Sequence, residues 1–127
     1  MKLRSDLSRV LGLGSARAGA HHWTHQRLSA IALIPLSLWF VTVLLGHLHD
    51  DVVDLTRWIR SPFVTVLLIS LMAAMFYHAK LGLQVVIEDY VHSEIAKIGL
   101  LIAMKLGCVL GALLGIVAVL KISFGMT

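Results

Sequence analysis

With 127 residues, the chain has room for one domain. Hydrophobic residues make up 58% of it and charged residues 14%. Its mean hydropathy of +0.88 excludes a self-contained soluble domain, which could not bury that much apolar surface in a core of its own. The net charge of +4 does not point to nucleic acid: Lys2, Arg4, Arg9, Arg17 and Arg27 crowd the start of the chain, as in a cytoplasmic juxtamembrane segment, and no basic stripe with interleaved aromatics follows.

The N-terminal segment, residues 1–27, sets those five basic residues against only Asp6. Its small-residue stretch, residues 15–20, precedes the first apolar run, whereas a signal-peptide cleavage site follows one, so no cleaved leader is expected. From Leu28 to His49 the chain passes without Lys, Arg, Asp or Glu. Pro35, inside this run, is expected to kink the helix or end a turn there. The next connection, His49 to Arg60, holds Asp50, Asp51 and Asp54 against Arg57 and Arg60. A second uncharged run extends from Ser61 to Ala79, and a second loop carries Glu88, Asp89, Glu94 and Lys97. The third run, Ile98 to Leu120, is interrupted only by Lys105, whose ammonium can snorkel back to the interface. Each run is long enough to cross a hydrocarbon core of roughly 30 Å, and in lipid the backbone satisfies itself as helix.

The expected fold is therefore all-α: an integral membrane protein of three transmembrane helices, taking its place in a heteromeric helical bundle. We read residues 1–127 as a single membrane-anchor domain, with transmembrane helices over about 28–49, 61–87 and 98–122 after the N-terminal segment. The excess of basic residues at the start places the N-terminus in the cytoplasm. In the third span Gly107, Gly111 and Gly115 share a face and allow close approach of another helix, from this chain or from a partner. Cys108, the only cysteine, can form no intrachain disulfide and reads as a small packing residue.

Seven histidines are many for this length. His21, His22 and His25 precede the first span with Arg27, His47 and His49 close it, and His92 lies in the second loop. His78 alone lies deep within an apolar run, the second one. An ionisable group at that depth is a functional candidate: it can relay protons, bond a neighbouring helix or ligate a metal or haem iron. Gly82, four residues on, lies over His78 on the same helix face and removes bulk where a flat macrocycle could rest. Asp89 falls about 20° from that face if the helix continues. A low-spin haem commonly takes two axial ligands, so a haem-binding His78 requires a second ligand from another chain.

Tyr90, beside Asp89, reads either as an interfacial belt tyrosine or as a phenol donating a hydrogen bond to a ligand at the membrane surface, tuned by the acid. The cluster from His21 to Arg27 reads either as interfacial anchoring with Trp23 or as recognition of an anionic group by the guanidinium.

Two stretches carry a family resemblance. One is His21-His22-Trp23-Thr24-His25-Gln26-Arg27-Leu28-Ser29-Ala30-Ile31-Ala32-Leu33; the more specific one runs from His78-Ala79-Lys80-Leu81-Gly82 through Gln84-Val85-Val86 to Asp89-Tyr90-Val91. Together with the three-span layout, they make the chain resemble the hydrophobic membrane anchors (the small subunit of cytochrome b556) of alphaproteobacterial succinate dehydrogenase, respiratory complex II. The resemblance implies an anchor in the bacterial inner membrane, assembled with a flavoprotein subunit, an iron–sulfur subunit and a second membrane anchor (the cytochrome b556 large subunit), carrying electrons from succinate to ubiquinone. It implies haem b held between the two anchors with His78 as an axial ligand, and His21 and Arg27 near the haem propionates. It implies Tyr90 bonding a quinone carbonyl with Asp89 beside it. Lys80, so near the haem position, is expected to point to the cytoplasmic interface. The chain has no flavin motif, cysteine cluster or dicarboxylate site, so it is not expected to oxidise succinate alone.

Two other classes compete. A three-helix enzyme of diacylglycerol-kinase type would need carboxylates for Mg²⁺ and nucleotide phosphates, and Glu88, Asp89 and Glu94 are the inner-face candidates after Asp6. A cofactor-free transporter or structural anchor leaves the deep His78 and Gly82 without a reason.

Overall fold

The computed structural model describes residues 16–126, with side chains from His21 onward except His22; Lys2, Arg4, Asp6 and Arg9 lie outside the described residues, as does the side chain of Arg17. Four helices follow in order: α1 (Ala16–Gly46), α2 (Val52–Ile59), α3 (Pro62–Tyr90) and α4 (Glu94–Ser123). No strand occurs among the described residues. The protein is all-α and multi-pass: three helices hold apolar spans of membrane-crossing length, Trp23–Gly46, Pro62–Tyr90 and Glu94–Ser123.

The helices outrun the apolar runs at several ends, because helical hydrogen bonding does not stop where hydrophobicity does. α1 begins at Ala16, well inside the segment expected to precede the first span, and stops at Gly46, three residues before His49. It passes through Pro35 without a break. One lost N–H is tolerated there, and Ser37 Oγ just beyond bonds back to the Leu33 carbonyl. α3 opens with Pro62 in its first turn after Ser61, a place where the missing N–H would have had no partner anyway. It continues to Tyr90, so Glu88 and Asp89 belong to its last turn rather than to a loop. Only residues 91–93 remain between α3 and α4. α4 ends in two backbone bonds, Gly125 N–H to the Ile122 carbonyl (3.1 Å) and Met126 N–H to the Lys121 carbonyl (2.9 Å). This Schellman closure requires the positive φ of +70° at Gly125.

α3 is the middle helix. It packs against α1 on one side and α4 on the other, while α1 and α4 do not pack together among the described residues. Antiparallel packing of α1 on α3 follows from Ser29 meeting His78, whereas Trp39 meets Trp58, just before α3 begins. The α3–α4 seam is set by small residues: a Cβ at Gly111 would lie 2.5 Å from the Phe76 ring, and one at Gly115 would lie 2.9 Å from Met72 Sδ. Two of the three ladder glycines thus serve packing within the chain, and a Cβ at Gly107 would meet nothing within 4 Å.

The buried core is small. Val64, Leu68, Leu71 and Leu81, all on α3, are its buried apolar members, with Ser29 and Thr65 as buried polar ones. Thr65 Oγ1 ties three elements, lying 2.8 Å from the Ile59 carbonyl, 3.1 Å from that of Ser61 and 3.0 Å from Ser123 Oγ. α2, unforeseen in the sequence, sits in the first connection. Its Trp58 stacks against Trp39 at 6.1 Å and His47 at 4.9 Å, and His47 Nδ1 in turn lies 2.5 Å from Asp50.

Candidate functional site

His78 sits in α3 twelve residues before its C-terminal end, half-buried on the side facing α1. Its Nδ1 lies 3.0 Å from Ser29 Oγ, a contact bridging 49 residues of sequence. The ring's other nitrogen, Nε2, has no hydrogen-bond partner among the described residues. One turn on, a Cβ at Gly82 would meet nothing within 4 Å, so α3 presents bare backbone beside the imidazole. Because α3 is helical through Tyr90, Asp89 does share the His78–Gly82 stripe, while Tyr90 is turned by about 120°. Both residues are exposed, Tyr90 by 78%. Some ~18 Å of helix separates His78 from Tyr90, which makes them members of two sites.

The α1 residues run alongside. His25, one turn before Ser29, meets the Tyr77 ring edge-on at 6.3 Å. Both line an open groove of about 420 Å³ with Ser29, Ala32, Ala73 and Ala74. Arg27 is exposed and lies 4.4 Å over the Trp23 ring, and His21 is exposed nearly two turns before it. Ser29 joining His78 puts this basic, His-rich end of α1 beside the last turns of α3. Lys80 takes another course from the one expected: its Nζ lies 5.5 Å over the Tyr77 ring, back toward the start of α3, as helix side chains tilt toward the N-terminus. There it lines a groove between α3 and α4 with Phe76, Cys108 and Ala112.

No three His, Cys, Asp or Glu side chains converge among the described residues. Gln84 bonds Glu88 at 2.8 Å, and Glu94 lies 3.7 Å from Lys97. Among the described residues, Glu88, Asp89 and Glu94 therefore do not gather into the Mg²⁺ cluster that a phosphoryl-transfer enzyme needs.

The sequence matches the family described as succinate dehydrogenase/fumarate reductase transmembrane subunit over residues 1–118. The chain belongs to that family. Among curated proteins, it is 37% identical over 116 residues to the succinate dehydrogenase hydrophobic membrane anchor subunit of Rickettsia bellii, covering 91% of this chain and 93% of that one. It is 32% identical to the subunit of the same name from Rickettsia conorii, covering 91% and 92%. The succinate dehydrogenase membrane anchor subunit of Reclinomonas americana is 32% identical over 87 residues, 65% of this chain and 71% of that one. No solved structure matches. The protein is thus a membrane-anchor subunit of succinate dehydrogenase, and an anchor implies further subunits of the complex. Of the anchor's residues, Ser29 is the one that sequence reasoning passed over; its only mark there is a hydroxyl at the start of an apolar run.

Proposed function

We propose that this anchor holds haem b jointly with the second anchor subunit, His78 supplying one axial ligand, and that Tyr90 and Asp89 help form the site where ubiquinone is reduced. In this reading the N-terminus and the Tyr90 end of α3 face the cytoplasm, in the bacterial inner membrane. The iron–sulfur subunit, reduced by the flavoprotein that oxidises succinate, docks at that end.

The observation that carries the reading is His78 itself: a half-buried imidazole in a membrane-spanning helix, with Nε2 unpartnered among the described residues and the bare backbone of Gly82 one turn on. A polar nitrogen at this depth costs free energy unless something engages it. Iron fits its donor chemistry, and a glycine that leaves the adjoining surface flat suits a macrocycle. Bound there, haem b would supply one-electron redox capacity. Because His78 is the one histidine set deep in an apolar span of this chain, a haem with two axial ligands draws the second from the partner anchor. Arg27 and His21, carried on the stretch of α1 before Ser29, offer cationic and hydrogen-bonding groups for propionates.

At the end of α3, the exposed phenol of Tyr90 donates to a quinone carbonyl oxygen and polarises it as electrons and protons arrive. Asp89, adjacent in sequence and facing the haem stripe, supplies negative charge and an acceptor at the same surface.

The test is the reduced-minus-oxidised absorption spectrum of the complex purified in mild detergent, wild type beside His78→Ala. A b-type band that weakens or shifts in the variant is expected. A wild-type complex with no such band would remove the haem assignment and leave quinone binding to stand alone.

A further inference from the structure

We infer that Ser29 is a positioning residue for His78: it fixes the imidazole's tautomer and ring direction and tunes the electron density that its free nitrogen offers to iron. This role rests on His78 being a haem ligand.

Proton accounting carries it. A serine hydroxyl has one proton to give and two lone pairs to receive with. Ser29 Oγ lies 2.9 Å from the carbonyl of Gln26 and 3.0 Å from His78 Nδ1. A carbonyl can only accept, so the hydroxyl proton goes to Gln26. Toward His78, Ser29 can then only accept, and Nδ1 must carry the proton that it donates. In a neutral imidazole this leaves the lone pair on Nε2, the nitrogen with no partner among the described residues. The helix backbone thus polarises the serine, the serine holds the tautomer, and the tautomer points one lone pair away from α1.

Ser29 is only 8% exposed, among the most buried of the described residues. Burial keeps water from substituting for its oxygen and makes the geometry specific. Its hydroxyl also bonds α1 to α3, so the docking of these two helices and the direction of the ligand are set by the same contact. Donation from Nδ1–H makes Nε2 a stronger electron donor to iron, which favours the oxidised, more positively charged metal.

The test is made on the intact complex, with Ser29→Ala, Ser29→Thr and Ser29→Cys beside wild type. Each is read by potentiometric titration of the b-type haem, by the low-temperature EPR spectrum of the oxidised form, and by the rate at which apomyoglobin strips the haem. Ser29→Ala is expected to shift the midpoint potential positive, alter the EPR g-anisotropy and lose haem about 10-fold faster, toward the lower end of what the hydrogen-bond partners of metal-bound histidines contribute. Ser29→Thr, which keeps the hydroxyl, is expected to restore all three. Ser29→Cys keeps the size but offers only a weak acceptor and is expected to behave like alanine, which keeps the test open if the alanine protein does not assemble. Alanine and cysteine proteins with wild-type potential and EPR spectrum would overturn Ser29's role while leaving the haem at His78. A wild-type complex without a b-type band would overturn the haem reading and this role together.

Discussion

Replacing Gly111 by alanine places a methyl group 2.5 Å from Phe76 Cε1 and 2.7 Å from its Cζ. Carbon atoms in ordinary contact sit about 3.5–4.0 Å apart, so ring and methyl must separate by about 1 Å. Either Phe76 leaves its rotamer or α3 and α4 move apart along the seam, and overpacking of this kind costs about 1–3 kcal/mol. Against that stands the better helix propensity of alanine over glycine, about 0.8–1.0 kcal/mol. The net cost is about 1 kcal/mol, roughly a fivefold fall in the ratio of intact to unfolded protein. Gly107→Ala is the control, because a Cβ there meets nothing within 4 Å in this chain and only the propensity gain remains. The assay is the fraction of the complex surviving a heating series in mild detergent, read by gel filtration. Phe76→Ala in the Gly111→Ala background is expected to cost less than in wild type, since the new methyl occupies part of the space the ring gives up. A Gly111→Ala protein as heat-resistant as wild type, with the cost of Phe76→Ala unchanged, would refute the close seam.

Tyr90→Phe, changing a 78% exposed residue at a helix end, is expected to leave assembly and the haem band intact while lowering quinone reduction about tenfold, the worth of one hydrogen bond of about 1.4 kcal/mol; unchanged steady-state rates with a soluble quinone would exclude the phenol from the site. Thr65→Val removes a buried hydroxyl shared among Ile59, Ser61 and Ser123 and is expected to destabilise by about 1–3 kcal/mol, with Thr65→Ser largely restoring the melting profile. Arg60→Ala loses the bond from Nε to the Ile122 carbonyl, 3.2 Å long. It is expected to cost about 1 kcal/mol and to speed amide exchange over residues 121–126 without changing exchange in α1.

The number of spans was legible because lipid imposes one rule on every residue of a crossing segment. A run free of charge for about 20 residues has no other stable state than helix. His78, Gly82 and Asp89 could likewise be placed on one stripe before any coordinates, since the 3.6-residue period fixes which positions of a helix share a face. Hydrophobicity did not mark where the helices end: α1 begins at Ala16 and α3 holds Asp89 and Tyr90 in its last turn, because backbone hydrogen bonds extend through polar residues as readily as apolar ones. Nor could it show α2, whose eight residues are too few to register as a span.

Which glycine meets which side chain was a question for tertiary structure alone. Sequence spacing puts Gly107, Gly111 and Gly115 on one face, but only the packing of α4 on α3 gives Gly111 to Phe76 and Gly115 to Met72 while leaving Gly107 open. Lys80 folding back over Tyr77 depends on a rotamer that no periodicity specifies. Ser29 is the sharpest case. Its own neighbourhood of the chain does not say what it bonds, since its partner stands 49 residues away, and the pairing exists only because α1 and α3 run antiparallel at one register. The sequence by itself determined a three-span membrane anchor with one deep histidine, through rules that act along a single helix; the contacts that orient that histidine act between helices, and only the folded chain decided them.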